Sequence, residues 1–437
     1  MPRAVTGRTV QTRRGLLASL GVALAGCASP ATDASDGRDA ATPRAETTTP
    51  TSASYWYPHV QPSGNRALDG TGALREASPV DIPAETPAWL VALPAEVGSD
   101  WVVVTDGGGA TRYRVADGEA TERESYEPLA RAVPVVRRSD AGVAPVRPLA
   151  AGSPTAPPTY ADGGRTRLAV GREGDLLVTR GDTTERVGVD ALSDGRVVRV
   201  SADRYALLGD ATDRYRHRAL GDAVEGGSLV VVDSQGTVES RREIAPPAVI
   251  EAQGPLAADL DGDGSRELLA PVSDSADGAR IAAFAPDGTR LATGPIHGSG
   301  WRHPLAVAPF GPDERPELAV VRKPHVEHVL EFYRLDESGL SVAATRQGFR
   351  SHTYGSRTLD GALAADFDAD GRVELLVPTT RRTDLAAVAR TADGATVEWR
   401  LPLGGGLRTN LTGVALDGGG VAVGAGTADG VRVWQSR

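Results

Sequence analysis

Two stretches of the chain, ADLDGDGSRELLAP from Ala258 and ADFDADGRVELLVP from Ala365, are near copies of one another. Each sets Asp at positions one, three and five, Gly at six and Glu at nine: Asp259, Asp261, Asp263, Gly264 and Glu267, then Asp366, Asp368, Asp370, Gly371 and Glu374. Hard carboxylate oxygens at alternate positions of a tight turn are calcium chemistry, and the backbone carbonyl of position seven, Ser265 or Arg372, adds a further oxygen. An EF-hand would close its shell with Glu at position twelve, but Ala270 and Val377 stand there, so Glu267 and Glu374 must do so. The expectation is two structural Ca2+ sites in short, non-helical loops. A third copy, APFGPDERPELAV from Ala308, has lost the first two carboxylates and keeps Asp313 and Glu317.

The other chemistry-bearing bunch is histidine. Five of the seven, His297, His303, His325, His328 and His352, fall between residues 297 and 352. Trp301, Lys323, Arg350, Tyr354 and Arg357 accompany them. Trp301, His303, His325, His328, His352 and Arg357 are the candidate ligand-binding set: guanidinium binds carboxylate bidentately and an aromatic ring offers a stacking face. Two other readings stay open, a transition-metal site through His325, His328 and a third His, and ordinary surface loops. No nucleophile elbow, phosphate-binding glycine loop or zinc-protease helix is present, so no catalytic residue is assigned.

Cys27 is the only cysteine, which excludes an internal disulfide. Arg13 and Arg14 precede a short apolar run, Gly15 to Gly26, and the pattern resembles a twin-arginine export signal; Leu24 to Cys27 resembles a lipoprotein box with Cys27 as lipid acceptor. The run is too short for a stable span. Residues 28–54 are rich in Ala, Thr, Ser and Pro and poor in large apolar side chains, the composition of a disordered tether. The expected location is outside the cell, with a lipid anchor on the outer face of the cytoplasmic membrane as the only membrane contact. Lys323 is the sole lysine, and with Asp+Glu 57 against Lys+Arg 47 the net charge is −10. Such a balance argues against a nucleic-acid partner and, with the export signal, resembles the proteins of salt-loving archaea.

The elements that must hold these loops are strands. The copies begin at Ala258, Ala308 and Ala365, a repeat of roughly 50 to 57 residues, the period of propellers and related arrays. Each unit reads as four short strands with Gly and Asp turns, and helical periodicity is hard to find after the signal. Residues 55–437 are thus one all-β domain with room for about seven units. The stretch from Tyr57 to Ile82 is expected to give an outer strand beside a final strand at Gly430–Gln435.

These residues resemble the FG-GAP or VCBS repeat family, calcium-loop propellers that include the integrin alpha head. The resemblance rests on the two strong loops and the weak one. It implies a seven-bladed β-propeller of four-stranded antiparallel blades, with six or eight blades also compatible, and calcium in the turn between the first and second strands. Glu at position nine departs from the more usual Asp. The function implied is a lipid-anchored cell-surface binding or scaffold module for a partner protein or acidic glycan. The alternative is a lyase-like polysaccharide enzyme using the His/Arg rim, since some calcium propellers are polysaccharide lyases. A quinone-dependent redox propeller is disfavoured for want of a ligand funnel.

Overall fold

The computed structural model describes residues 53–129 and 132–436. The twin-arginine motif, Cys27 and most of the tether therefore lie outside the described residues. The remainder is β-sheet, with only two three-residue 3-10 turns among the described residues, and no helix long and apolar enough to cross a membrane.

Eight sheets follow one another along the chain, so the protein is an eight-bladed β-propeller where seven blades were expected. Blades 1, 3, 4, 5, 6 and 7 start at Pro87, Thr159, Val198, Val249, Arg302 and Leu363, and each runs through its own antiparallel strands. The uncounted unit is blade 2. It owns only the hairpin Val136–Ser139 and Gly142–Pro145 and takes its third strand, Ser54–Trp56, from the N-terminus. Blade 8 owns three strands, Thr412–Ala415, Val421–Thr427 and Gly430–Gln435, and is completed by Val80–Ile82, which pairs antiparallel with Gly430–Gln435. The N-terminal outer strand anticipated from sequence is this one.

Within a blade, the middle strands read as unbroken apolar runs because both faces are covered. LLAPV in blade 5, ELAVV in blade 6 and ELLVP in blade 7 are buried at every position. Outer strands such as EATERESY, TTERVG and VESRRE are charged and exposed, which blunts the sheet edges. Apolar clusters fill the gap between each consecutive pair of blades. One of them, joining Val414, Ala422 and Val433 of blade 8 to Leu90, Trp101 and Val103 of blade 1, closes the ring.

Residues 57–66 pass from blade to blade along the innermost strands. Tyr57 Oη accepts from Tyr160 N of blade 3 at 3.3 Å, Pro62 O from Arg199 N of blade 4 at 2.8 Å, and Ser63 O from Ala257 N of blade 5 at 2.9 Å. Asn65 exchanges two side-chain bonds of 2.9 Å with the backbone of Val307 in blade 6, and Arg66 O accepts from Ala364 N of blade 7. Asn410 ties Pro58 O to both backbone groups of Leu90 in blade 1. Ala67–Thr71 then runs parallel to the first strand of blade 7.

Asp360, fully buried, stands between two guanidiniums beside this segment. Arg196 meets it with two bonds of 2.8 Å and Arg66 with one of 3.0 Å. Burial alone would raise the carboxyl, but Arg196 and then Arg66 hold it well below the usual range. Removing one partner of a buried charge group leaves the others uncompensated. Asp360→Ala is therefore expected to cost about 3–5 kcal/mol in urea unfolding, the largest loss of any single polar substitution near the axis.

Candidate functional site

Both acidic turns join the first strand of a blade to its second: Leu256–Ala258 to Glu267–Asp274 in blade 5, and Leu363–Asp366 to Glu374–Pro378 in blade 7. The position-six glycines have φ of +89° at Gly264 and +87° at Gly371, a left-handed conformation that a side chain resists. The carboxylates curl around the turn backbone. Asp259 accepts from Gly262 N at 2.7 Å and Gly264 N at 3.0 Å, while Asp366 accepts from Gly371 N at 3.1 Å. The ninth-position Glu reaches back to the turn's second residue, Glu267 to Leu260 N at 2.7 Å and Glu374 to Phe367 N at 2.8 Å.

In blade 7, Asp366, Asp368, Asp370 and Glu374 each offer an oxygen within 4.8 Å of the others, as do Asp259, Asp261 and Asp263 in blade 5. Oxygens that each stand 2.3–2.6 Å from a calcium ion are separated by no more than about 5 Å, so the spacing fits. Glu374 is fully buried, and its Oε1 has no hydrogen-bond partner, nor do Asp366 Oδ1 and Asp368 Oδ1. Burial and then the neighbouring aspartates push Glu374 up to about 8; burial, and less strongly Asp261 and Asp259, push Glu267 up to about 7. Arg372, whose carbonyl was the expected seventh-position ligand, also turns its guanidinium onto Asp370 and Glu398. Ser265 donates its N–H to Asp263 at 2.7 Å.

Blade 6 carries the degenerate copy, and it shows what the turn requires. Arg334 Nη2 lies 2.9 Å from Asp313 Oδ1 and 2.8 Å from Glu317 Oε1, and Arg390 bonds the other oxygen of Glu317 at 2.8 Å. A tethered guanidinium occupies the centre of the carboxylates. By strand register the residue at this place is Ala285 in blade 5 and Ala389 in blade 7, so the third strand brings no guanidinium to those carboxylates, although in blade 7 Arg372 pairs with Asp370 from within the turn.

His325 and His328 lie in the second-to-third-strand connection of blade 6, and His297 and His352 in blade-to-blade connections, whereas His303 is the second residue of blade 6's first strand, Arg302–Ala308. Trp301, His303, His325 and His352 come together. Trp301 stacks on His303 with ring centroids 4.7 Å apart, His352 meets Trp301 at 5.1 Å and His325 at 5.0 Å, and exposed Tyr354 sets its edge on His325 at 5.2 Å. His328 stays outside the stack. Arg357 is turned away to Asp194 at 3.1 Å and to Asp222.

Trp301, His303 and His352 are buried, and Trp301 Nε1 donates to Glu251 O at 2.8 Å. Burial lowers His325 to about 4 and His352 to about 3 and holds His303 well below its ordinary value, so all three rings are neutral. His352 Nε2 donates to Ser356 O at 2.8 Å, and its Nδ1 accepts from His325 Nε2 at 3.2 Å. His325 Nδ1 and His303 Nε2 have no partner.

Sequence reasoning missed a carboxylate group beside this stack. Glu251 is held by Ser273 Oγ at 2.6 Å and by His217, and near it Glu225 is almost fully buried. Burial, then the charges of Glu251, Asp222 and Asp194, push Glu225 up to about 10. These residues come from connections of blades 3, 4 and 5, and no local spacing announces them.

No family model matches the chain, and no curated protein matches it. Among solved structures, it is similar to the crystal structure of BamB from Moraxella catarrhalis, at 16% identity and a TM-score of 0.35 over 82% of this chain and 96% of that chain. A likeness this slight carries nothing about function.

Glu225 makes a prediction with a definite sign. Unfolded, the carboxyl ionises near 4.5; folded, it keeps its proton to about 10. The folded state therefore binds the extra proton between these values, and its stability falls as pH rises through that window. Glu225→Gln, which is uncharged throughout, should flatten this part of the profile and melt higher than the parent at pH 8, as read by thermal unfolding from pH 5 to 9.

Proposed function

We propose that the protein is an exported, lipid-anchored calcium propeller of the FG-GAP/VCBS type, acting as a binding or scaffold module on the outer face of the cytoplasmic membrane. Its ligand is an acidic glycan or a partner protein bearing similar groups. The twin-arginine and lipobox patterns around Cys27, the acidic turns, and the arginine-rich, lysine-poor composition of a salt-loving organism's protein support this reading. The observation that carries it is the placement of exposed groups. Residues 57–66 are bonded along the innermost strands, while on the rim exposed Tyr354 and Val326 flank His325. Burial of His303 and His352, and the engagement of Arg357 with Asp194 and Asp222, favour binding over lyase chemistry.

Calcium is structural in this proposal. Asp259, Asp261, Asp263, Glu267 and the Ser265 carbonyl hold one ion; Asp366, Asp368, Asp370, Glu374 and the Arg372 carbonyl hold the other. Each would draw a turn's mutually repelling carboxylates together. An ion bound only by the folded state stabilises it by about 1.4 kcal/mol per site at ten times Kd. Chelation is expected to lower the melting temperature, and Asp261→Ala and Asp368→Ala each to remove part of that response. Equal melting with and without chelator would end the calcium assignment.

The rim is tested with a panel of uronic acid polymers. Wild type should be retained on at least one without depolymerising it, and Tyr354→Ala should weaken retention by about 10-fold, the loss typical of one aromatic anchor. Chain cleavage would favour the enzyme instead, and no retention on any polymer would remove the glycan reading.

A further inference from the structure

The chain leaves the innermost strands by way of the acidic turn of blade 7. Ala67–Thr71 runs parallel to Leu363–Asp366 and comes level with the turn at Thr71, opposite Asp366. Gly72 N then donates to Asp366 O at 2.9 Å, and Leu74 N to Phe367 O at 2.8 Å. The strap that follows becomes Val80–Ile82, the outer strand of blade 8, where Asp81 stands opposite Arg432 and accepts from its Nε at 2.8 Å.

Side chains fasten the same place. Leu74 is fully buried in one apolar cluster with Phe367 and Trp399, and Trp399 Nε1 donates to Asp368 Oδ2 at 3.2 Å. Gly72 leaves no room for a side chain, because a Cβ there would run into Ser436 and Val421 of blade 8. The strap is thus clamped between the turn of one blade and the end of the next.

The first residues of this turn therefore serve twice. Asp366 gives a carboxylate oxygen to the four-residue acidic group and its carbonyl to the strap, and Asp368 gives one oxygen to the group and the other to Trp399. Blade 5 is different: among the described residues, no backbone N–H donates to Asp259 O or Leu260 O, the matching carbonyls. Within the blade 7 group, fully buried Glu374 has Oε1 without a hydrogen-bond partner. Four carboxylates with oxygens inside 4.8 Å of one another repel unless a cation stands among them. Spreading to relieve that repulsion displaces the Asp366 and Phe367 carbonyls, which are the strap's two backbone anchors.

We propose that the blade 7 turn is a calcium-dependent clasp for residues 72–82, so that its ion keeps blade 8 closed while the ion of blade 5 stiffens its own blade alone. Without the ion the strap loosens and bares the edge of Gly430–Gln435, together with Leu74 and Ile82, which the closed ring buries. The clasp rests on the calcium reading above for the ion, and adds which of the two turns closes the ring.

Hydrogen–deuterium exchange reads both turns and the strap in one measurement. In wild type, replacing calcium at ten times Kd by EGTA should speed exchange at Gly72 and Leu74 by about 10-fold, the factor 1 + [L]/Kd by which the ion favours the closed form. Residues 430–435 should loosen with them. Asp370→Ala, which removes a ligand that touches no part of the strap, should show the same rise while calcium is present. Asp263→Ala, its counterpart in blade 5, should confine the rise to residues 259–267. The wild-type comparison stands without either variant. A strap that stays protected in EGTA while residues 366–374 loosen would overturn the clasp and leave the calcium reading intact, and so would equal loosening of the strap by Asp263→Ala. No change in either turn on adding EGTA would remove the calcium reading itself, and the clasp with it.

Discussion

Asp360 is the constraint from which the rest of the centre follows. It belongs to the connection into blade 7, Arg196 to the connection into blade 4, and Arg66 to the N-terminal segment, so one carboxylate fixes three distant parts of the chain. The attraction acts where water is excluded, and each guanidinium must stay because leaving would expose a bare charge to the interior. Arg66 also donates to Leu305 O at 2.6 Å, which brings blade 6 into the same knot. Around this point the segment 57–66 can lie still, and the innermost strands have something to pack against.

The three consecutive blades 5, 6 and 7 solve one electrostatic problem in two ways. A tight first-to-second-strand turn that ends in a buried Glu concentrates negative charge where solvent cannot disperse it. Blade 6 answers with Arg334, which brings its own positive charge on a side chain. Blades 5 and 7 have alanine at that register and more aspartate, and in the proposal above a bound cation takes the guanidinium's part. The Glu at position nine is common to all three, buried in each, and bonded to the backbone or to arginine.

How much of this was legible in the sequence depended on periodicity. The acidic turns, the four-strand rhythm of blades 5 to 7 and the outer strand at Val80–Ile82 all announce themselves, because each repeats a pattern or alternates. The eighth blade did not, since blade 2 has a four-residue hairpin of its own and borrows Ser54–Trp56 from a stretch that reads as linker. The axial segment was invisible for a related reason: Pro58, Pro62, Ser63, Gly64 and Asn65 form turns with no period, and their partners are set by tertiary bonding alone. At the rim, spacing pointed to Trp301, His303, His325 and His352 together. It misplaced His328 and Arg357, whose partners lie on loops more than a hundred residues away or in the backbone beside them.

The route of the N-terminal segment has a mechanical consequence. A pull applied at residue 53 meets first the antiparallel pairing of Ser54–Trp56 with Val136–Ser139, then in succession the bonds to blades 3, 8, 4, 5, 6 and 7, and finally Val80–Ile82 on blade 8. Anchors taken one after another each carry the full tension in turn, so resistance to the pull is set by the strongest single anchor and not by their sum.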